Sequence, residues 1–443
     1  MFKTRGYLLD VSRDRVPTMR TLFLLVDLLA RYRYNQFQLY TEHTFAYANH
    51  RDVWEEADPL TPEEIRKLDA YCQMQGIELV ANQNTFGHME RWLVKPAYNH
   101  LAKFPNGGAI TPWGAIKPYP TTLDPQNPGS LVLVTELLEE LIPNFKSSLV
   151  NIGCDETFEI DDPQEYLDFV TKICAVVARH GKRPMMWGDI ILHHPELIAK
   201  LPKETILIDW GYEGNHPFDQ ECAAFAASGH EFYVAPGTSS WRSLGGRVEN
   251  MRENLMAAEK AGRRNGASGF LLTDWGDEGH WQPLVASLPA LILGGELAVN
   301  GEKAAKIDLE RELNGVMGIP LGGTLLRLGT LYLRGGVIRA NASELFNILR
   351  NDHGYSRPAP LTDSIMEEIS GLAVGCRLRA QKFADDGNTW AAEIVYMANL
   401  IDCACHRRDE GRLRALRDEH RRIWQLRSRE GGRIDSLAKL PRF

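Results

Sequence analysis

The chain has no Cys-x-x-Cys pair. Its seven cysteines, at positions 72, 154, 174, 222, 376, 403 and 405, are scattered and odd in number. That spacing argues against a disulfide framework and against structural zinc, and fits reduced thiols in the cytoplasm. The opening residues Met1-Phe2-Lys3-Thr4-Arg5-Gly6 lack the apolar core of a signal peptide and lead straight into a strand pattern, although a leader removed from a longer gene product remains compatible with this start. No window approaches 18 uncharged apolar residues, so a membrane span is not expected. The net charge is −8, the wrong sign for a nucleic-acid partner. No internal repeat or low-complexity tract interrupts a composition that is 44% hydrophobic and 24% charged, an ordinary globular balance over 443 residues.

What is present is an alternation. Short, continuous apolar runs at 6–11, 35–40, 77–82, 149–153, 183–187, 206–210, 231–235 and 269–273 read as strands buried on both faces. Between them, 18–33, 61–75, 130–143, 163–180, 194–201, 218–228, 248–264 and 283–299 carry apolar residues at helical spacing. Thr61-Pro62-Glu63-Glu64 is an N-cap with proline and acids in the first turn, and Gly76, Gly181 and Gly229 close helices. Eight strand–helix pairs predict an α/β fold, a (β/α)8 TIM barrel over residues 1–303. An open doubly wound sheet would place a glycine fingerprint after its first strand, where this chain has Asp10-Val11-Ser12-Arg13. Residues 304–443 lose the alternation and predict an α-helical C-terminal domain, with helices near 308–317, 342–351, 364–384, 390–405 and 412–430. The last is rich in arginine, read as a solvated face. A homodimer through this region is compatible with the pattern. The connection from Asn82 to about Ser130 exceeds forty residues, and a loop of that length on a barrel belongs to the functional face.

In a barrel the residues following each strand converge. Here they include Asp10, Arg13, Thr41, Glu42, His43, Asn82, Asn84, His88, Asp155, Glu156, Trp187, Asp189, Asp209, Trp210, Tyr212, Trp241, Asp274, Trp275, Asp277 and Glu278. Tryptophan closes or follows each of the last four strands, and flat aromatic faces stack on sugar rings while polar rims bind hydroxyls. Carboxylates outnumber cations, which suits sugar hydroxyls rather than phosphate esters. The adjacent Asp155 and Glu156 repel each other, so one carboxyl is driven toward its protonated form, as acid-catalysed sugar chemistry requires. Glu42, His43 and His88 could form a metal triad by position, but the His-x-His and His-Glu-x-x-His spacings are missing. No metal or cofactor is therefore expected. Cys154, beside two carboxylates, has the wrong electrostatics for a nucleophile and reads as a packing residue.

These residues resemble glycoside hydrolase family 20, the exo-β-N-acetylhexosaminidases. The resemblance rests on Leu9-Asp10-Val11-Ser12-Arg13 at the first strand and Gly87-His88 after the third. It rests equally on Asn151-Ile152-Gly153-Cys154-Asp155-Glu156 at the fourth strand, and on Trp187, Trp210 and Trp275-Gly276-Asp277 later. It covers roughly residues 5–300 and lacks the family's usual α/β domain before the barrel. Asn151 and Cys154 stand where the motif has His and Gly, and Asp277 is shorter than the family's Glu. The resemblance implies that Glu156 is the general acid and that Asp155 orients the substrate's own 2-acetamido group, which attacks the anomeric carbon. It further implies that Arg13 and Asp277 bind hydroxyls and that Trp187, Trp210 and Trp275 wall the pocket. Tyr212 and Tyr233 are the candidates to hold the acetamido carbonyl. Glu42, His88, Asp189 and Trp241 complete the expected substrate-binding set. The implied activity is retaining hydrolysis of terminal β-linked GlcNAc or GalNAc from an amino-sugar glycoside. The other readings are a sugar-binding barrel without catalysis and a metal-dependent barrel hydrolase.

Overall fold

The computed structural model describes residues 1–350, 361–407 and 409–441. Eight parallel strands close into one barrel in chain order: β1 (Thr4–Asp10), β2 (Gln36–Tyr40), β3 (Glu78–Asn82), β4 (Leu149–Asn151), β5 (Arg183–Trp187), β6 (Ile206–Trp210), β7 (Phe232–Ala235) and β8 (Gly269–Asp274). β1 closes the ring on β8, with Leu9 opposite Asp274. All residues of β2 and β8 are buried, which explains why the strands read as continuous apolar runs. The barrel interior is not wholly apolar. Asn82 and Asn151 both donate their side-chain amides to Oε1 of Gln38 at 3.0 Å, so a hydrogen-bonded polar layer underlies the mouth.

β4 is shorter than the apolar run suggests. Asn151 Oδ1 accepts the Gly153 N–H, and Gly153 and Cys154 take φ of +71° and +69°, which ends the strand and turns the chain. The helix starts follow their signals: Thr61 caps Pro62–Met74 in a reciprocal capping box with Glu64. Two expected helices are broken. The 194–201 segment holds only Pro195–Ile198, preceded by Asp189–Leu192, and the 283–299 segment begins as a 3-10 turn, Leu284–Ser287, before Leu288–Asn300.

Among the described residues, the 23-residue stretch Leu284–Lys306 is long and apolar enough to cross a membrane by length and composition. No uncharged run of spanning length exists in it, because Glu296 stands in its middle and Glu302, Lys303 and Lys306 near its end, and 78% of its most apolar window is buried inside the protein. The barrel and the C-terminal region together cover it: Tyr34 donates to the Leu291 carbonyl, and Glu393 accepts the Val285 N–H. Helices Asp363–Asp385, Thr389–Cys405 and Glu410–Arg427 lie where helices are expected and form a bundle, extended by Arg433–Lys439. The 342–351 helix is in part a strand: β9 (Ile338–Arg339) and β10 (Ala342–Ser343) form a hairpin before the helix Glu344–Arg350, and position 351 lies outside the described residues.

The arginine-rich helix is only partly a solvated face. Arg417 donates to the carbonyls of Leu437 and Leu440, and Arg427 Nε pairs with the fully buried Glu393 at 2.8 Å. The other Glu393 oxygen accepts the Val285 N–H, tying the bundle to the barrel. Arg427→Ala would strand a buried carboxylate, and such losses cost about 3–5 kcal/mol. A large fall in denaturation midpoint is expected, recovered in part by adding Glu393→Gln; an unchanged midpoint would show that the pair carries no structural weight.

Candidate active site

The mouth of the barrel holds a pocket lined by Arg13, His88, Asp155, Glu156, Trp187, Trp210, Tyr212, Trp275, Asp277 and Asn341. Its free space is about 460 Å³, part of it open to solvent.

The Asp155–Glu156 loop is built around close backbone approaches. Gly153 sits where a Cβ would lie 1.9 Å from Asn84 Oδ1, and a Cβ on Gly87 would lie 2.2 Å from the Asp155 carbonyl oxygen. Both glycines are thus demanded by the contact of the β3 and β4 loops. His88 and Glu156 hold φ of +54° and +49°, a conformation that non-glycine residues keep only where surroundings over-determine it. Those surroundings are visible: Tyr166 donates to the Cys154 carbonyl, the Trp187 N–H to the Gly153 carbonyl, and the Glu156 N–H to Asp189 Oδ2 at 3.0 Å. Cys154 is fully buried with its thiol pushed up by burial, in keeping with a packing role.

His88 is the electrostatic pivot. Its Nε2 lies 3.2 Å from Asp155 Oδ2 and 3.5 Å from Glu156 Oε2. Burial works against a charged imidazole, but these two carboxylates outweigh it and push His88 up to about 9. The return effect separates the acids. Burial opposes the Asp155 charge, yet His88 and, more weakly, Arg13 hold that carboxyl below its ordinary range. Burial and the neighbouring Asp155 charge leave Glu156 above its ordinary range, although His88 and Lys117 pull the other way. One acid is held ionised and its neighbour is biased toward keeping a proton. Asp155 Oδ1 is buried with no hydrogen-bond partner among the described residues, so a residue that lines the pocket keeps an unused acceptor.

Arg13 forms the opposite wall. Asp10 caps the turn by accepting the Ser12 and Arg13 N–H groups, pairs with the Arg13 guanidinium at 3.2 Å and accepts the Gly276 N–H, so β1 and β8 loops share one anchor. Arg13 also lies 3.3 Å from Glu42 and 4.0 Å from Asp277, over the rings of Tyr40 and Trp275. Glu42 does not line the pocket; it steadies Arg13 and accepts the Tyr40 hydroxyl. Asp189 likewise stands behind the loop, holding the Glu156 N–H, with its carboxyl pushed up to about 7 by burial and Asp155.

Trp187, Trp210, Tyr212 and Trp275 form an aromatic wall: Trp210 stacks on Tyr212 at 5.1 Å, and Trp187 meets Trp275 at 5.8 Å. Trp241 is one layer back, edge-on to Tyr212 at 5.1 Å, and supports the wall without lining the pocket. Tyr233 is a correction. It points into the barrel but at its opposite end, level with Gly269, and its hydroxyl donates to Thr4 Oγ1 at the start of β1. It cannot reach a ligand at the mouth. Asp209 and Asp274 also leave the set, because successive strand residues face opposite sides. Trp210 and Trp275 face the pocket. Asp209 instead takes the Cys222 thiol under the helix Phe218–Ser228, and Asp274 accepts from Tyr7, Thr238, Ser240 and Ser287.

The Glu42–His43–His88 triad does not assemble. His43 lines a separate cavity with Arg91 and Lys95, where burial and those cations press its imidazole down to about 3. Donor atoms of Glu42, His88 and Glu90 do come within 4.8 Å of one another. Arg13 already occupies that neighbourhood, 3.3 Å from Glu42 and 3.4 Å from His88 Nδ1, so a fixed positive charge stands where a cation would bind. The donor set does not suit a divalent ion. Two pocket contributions escaped the sequence reading. Lys117, from the long loop, bears electrostatically on Glu156, and Asn341 comes from beyond the barrel.

Residues 2–242 match the family model "Glycosyl hydrolase family 20, catalytic domain". Among curated relatives, hexosaminidase D of Bos taurus is 24% identical over 279 residues, covering 56% of this chain and 77% of that protein. Hexosaminidase D of Homo sapiens is 23% identical over 268 residues, covering 52% of this chain; the match spans about half, 51%, of the human protein. A chitobiase structure from Flavobacterium johnsoniae superposes with TM-score 0.57 at 17% identity, covering 99% of this chain and 78% of that one, and so shares the fold. With the model matching more than half of its length, this chain belongs to glycosyl hydrolase family 20.

Proposed function

We propose that the protein is a retaining exo-β-N-acetylhexosaminidase that releases terminal β-linked GlcNAc or GalNAc with help from the substrate's acetamido group. The observation that carries this reading is the split of the two neighbouring acids around His88. Glu156 keeps its proton and delivers it to the glycosidic oxygen. Asp155, held in its ionised form, accepts the acetamide N–H and turns the carbonyl oxygen toward the anomeric carbon. The C1–O bond to the leaving group breaks as the carbonyl oxygen bonds to C1, giving an oxazolinium ion. Glu156, now a carboxylate, takes a proton from water, which opens that ring with retention. A direct-displacement enzyme needs its two carboxyl groups about 5 Å or more apart across the sugar, an arrangement that neighbouring residues on one loop do not suit. Tyr212 is the candidate to hold the acetamide carbonyl, and Arg13 with Asp277 the hydroxyls far from the bond broken. The relatives' names support the hexosaminidase reading. The unpaired thiols support a reducing compartment such as the cytoplasm.

Aryl β-glycosides differing at C2 and C4, assayed with a chelator present, test the reading. The 2-acetamido compounds should turn over, the 2-hydroxy analogues should not, and chelation should have no effect. Sugar binding without turnover would point to the non-catalytic barrel, and loss on chelation to the metal-dependent one.

The acids also set a pH profile. Activity needs Glu156 protonated, so it declines as pH rises through that raised pKa. It needs Asp155 ionised, so it declines as pH falls through that depressed pKa. His88 lowers both. His88→Gln should therefore move both limbs of kcat/KM to higher pH, with a lower maximum. A profile that keeps both limbs in place would detach His88 from the pair.

A further inference from the structure

The pocket is not closed by the barrel alone. Among the described residues, Asn341 is the one lining residue from beyond position 300, and it sits in the two-residue turn between β9 and β10 with φ of +53°, a conformation that asparagine tolerates. The turn is held with care. Arg247, 2% exposed, donates to both oxygens of Glu213 at 2.9 and 2.8 Å and to the Arg339 carbonyl at 3.1 Å. Glu213 Oε1 in turn accepts the Asn341 N–H at 2.7 Å. On the other side the Ser343 N–H and hydroxyl donate to the carbonyls of Arg242 and Ser243.

The orientation of the Asn341 amide follows from its neighbour. Trp241 Nε1 lies 2.7 Å from the side chain, and an indole nitrogen only donates. The atom facing it must be the carbonyl oxygen, which directs the NH2 group elsewhere. That NH2 makes no hydrogen bond among the described residues, although its residue is half-buried and lines the pocket.

We infer that Asn341 is a substrate-binding residue donated by the C-terminal region: its NH2 gives a hydrogen bond to a hydroxyl oxygen of the sugar in the pocket and helps set which sugar is accepted. The inference rests on the sugar-site reading above. It also assigns the hairpin a purpose, because the buried Arg247–Glu213 pair fixes the backbone from which that donor projects.

Asn341→Ala and Asn341→Asp in the full chain test it, with kcat and KM on aryl β-GlcNAc and β-GalNAc glycosides. Free GlcNAc and GalNAc affinities come from tryptophan fluorescence, and melting temperature is followed alongside. Losing one neutral hydrogen bond should lower kcat/KM and sugar affinity by about 3- to 10-fold. Asn341→Asp keeps the acceptor for Trp241 but removes the donor, so its loss should equal or exceed that of Asn341→Ala, by unequal factors for the two epimers and with melting unchanged. Wild-type affinity in Asn341→Asp, or losses that merely track a lowered melting temperature, would overturn the inference. Should the wild type bind these sugars yet hydrolyse no glycoside, the enzymatic reading fails while the affinities still judge Asn341. A wild type that binds neither sugar overturns both.

Discussion

Glu156→Gln should lower kcat by roughly 10²–10⁴-fold, the usual worth of a positioned general acid, while leaving sugar affinity nearly intact. The amide matches the carboxyl in size and keeps its place, because the Glu156 backbone is pinned through its N–H to Asp189 and not through its side chain. What it cannot do is release a proton. The size of the loss should therefore depend on the leaving group. A nitrophenolate departs with little protonation, whereas an alkyl or sugar alkoxide cannot. Methyl or disaccharide glycosides should lose more than nitrophenyl ones. Equal losses on both would mean that Glu156 binds the substrate and does not protonate it. The substitution also withdraws one of the two anions facing His88, so the imidazole should titrate below its value of about 9 in the wild type.

Asp155→Asn should cost about 10²–10³-fold in kcat on acetamido substrates, the range seen when a preorganised electrostatic contact to the transition state is removed. As the amide attacks C1 its nitrogen gains positive charge, and a carboxylate stabilises that charge where a carboxamide does not. Asparagine can still accept the N–H through its oxygen, which is why some activity should survive. Asp155 is the largest source of the raised His88 pKa, so the same variant should bring the imidazole down further than Glu156→Gln does. NMR titration of His88 in the two variants checks this order. Normal turnover of acetamido substrates by Asp155→Asn would remove the assisted route.

Much of this was legible in the sequence because the barrel imposes two strong regularities. Buried parallel strands leave continuous apolar runs, and residues after the strands must meet. Arg13, His88, Asp155, Glu156, Trp187, Trp210, Tyr212, Trp275 and Asp277 were found by that rule and line one pocket. The rule is blind to side. It could not tell that Asp209 and Asp274 face the helices while Trp210 and Trp275 face the mouth, since a shift of one residue reverses the direction. It was blind to height as well: Tyr233 lies inside the barrel but at the wrong end. Glu42, Asp189 and Trp241 came out one layer behind the pocket, where they hold Arg13, the Glu156 loop and Tyr212. Asn341 carried no signal that could find it. It lies in a short hairpin within a region of helical pattern, and its place depends on the long-range pair Arg247–Glu213.

The central claim is that the substrate's own amide oxygen is the nucleophile, aimed by Asp155 while Glu156 protonates the departing oxygen. The most direct test is kcat/KM of the wild-type protein on one aryl glycoside whose N-acetyl group carries zero, one, two or three fluorines. Each fluorine drains electron density from the carbonyl oxygen with little change in shape. The account predicts a steep, continuous fall in rate along the series. A flat series would contradict it and hand the attack to a group of the protein or to water.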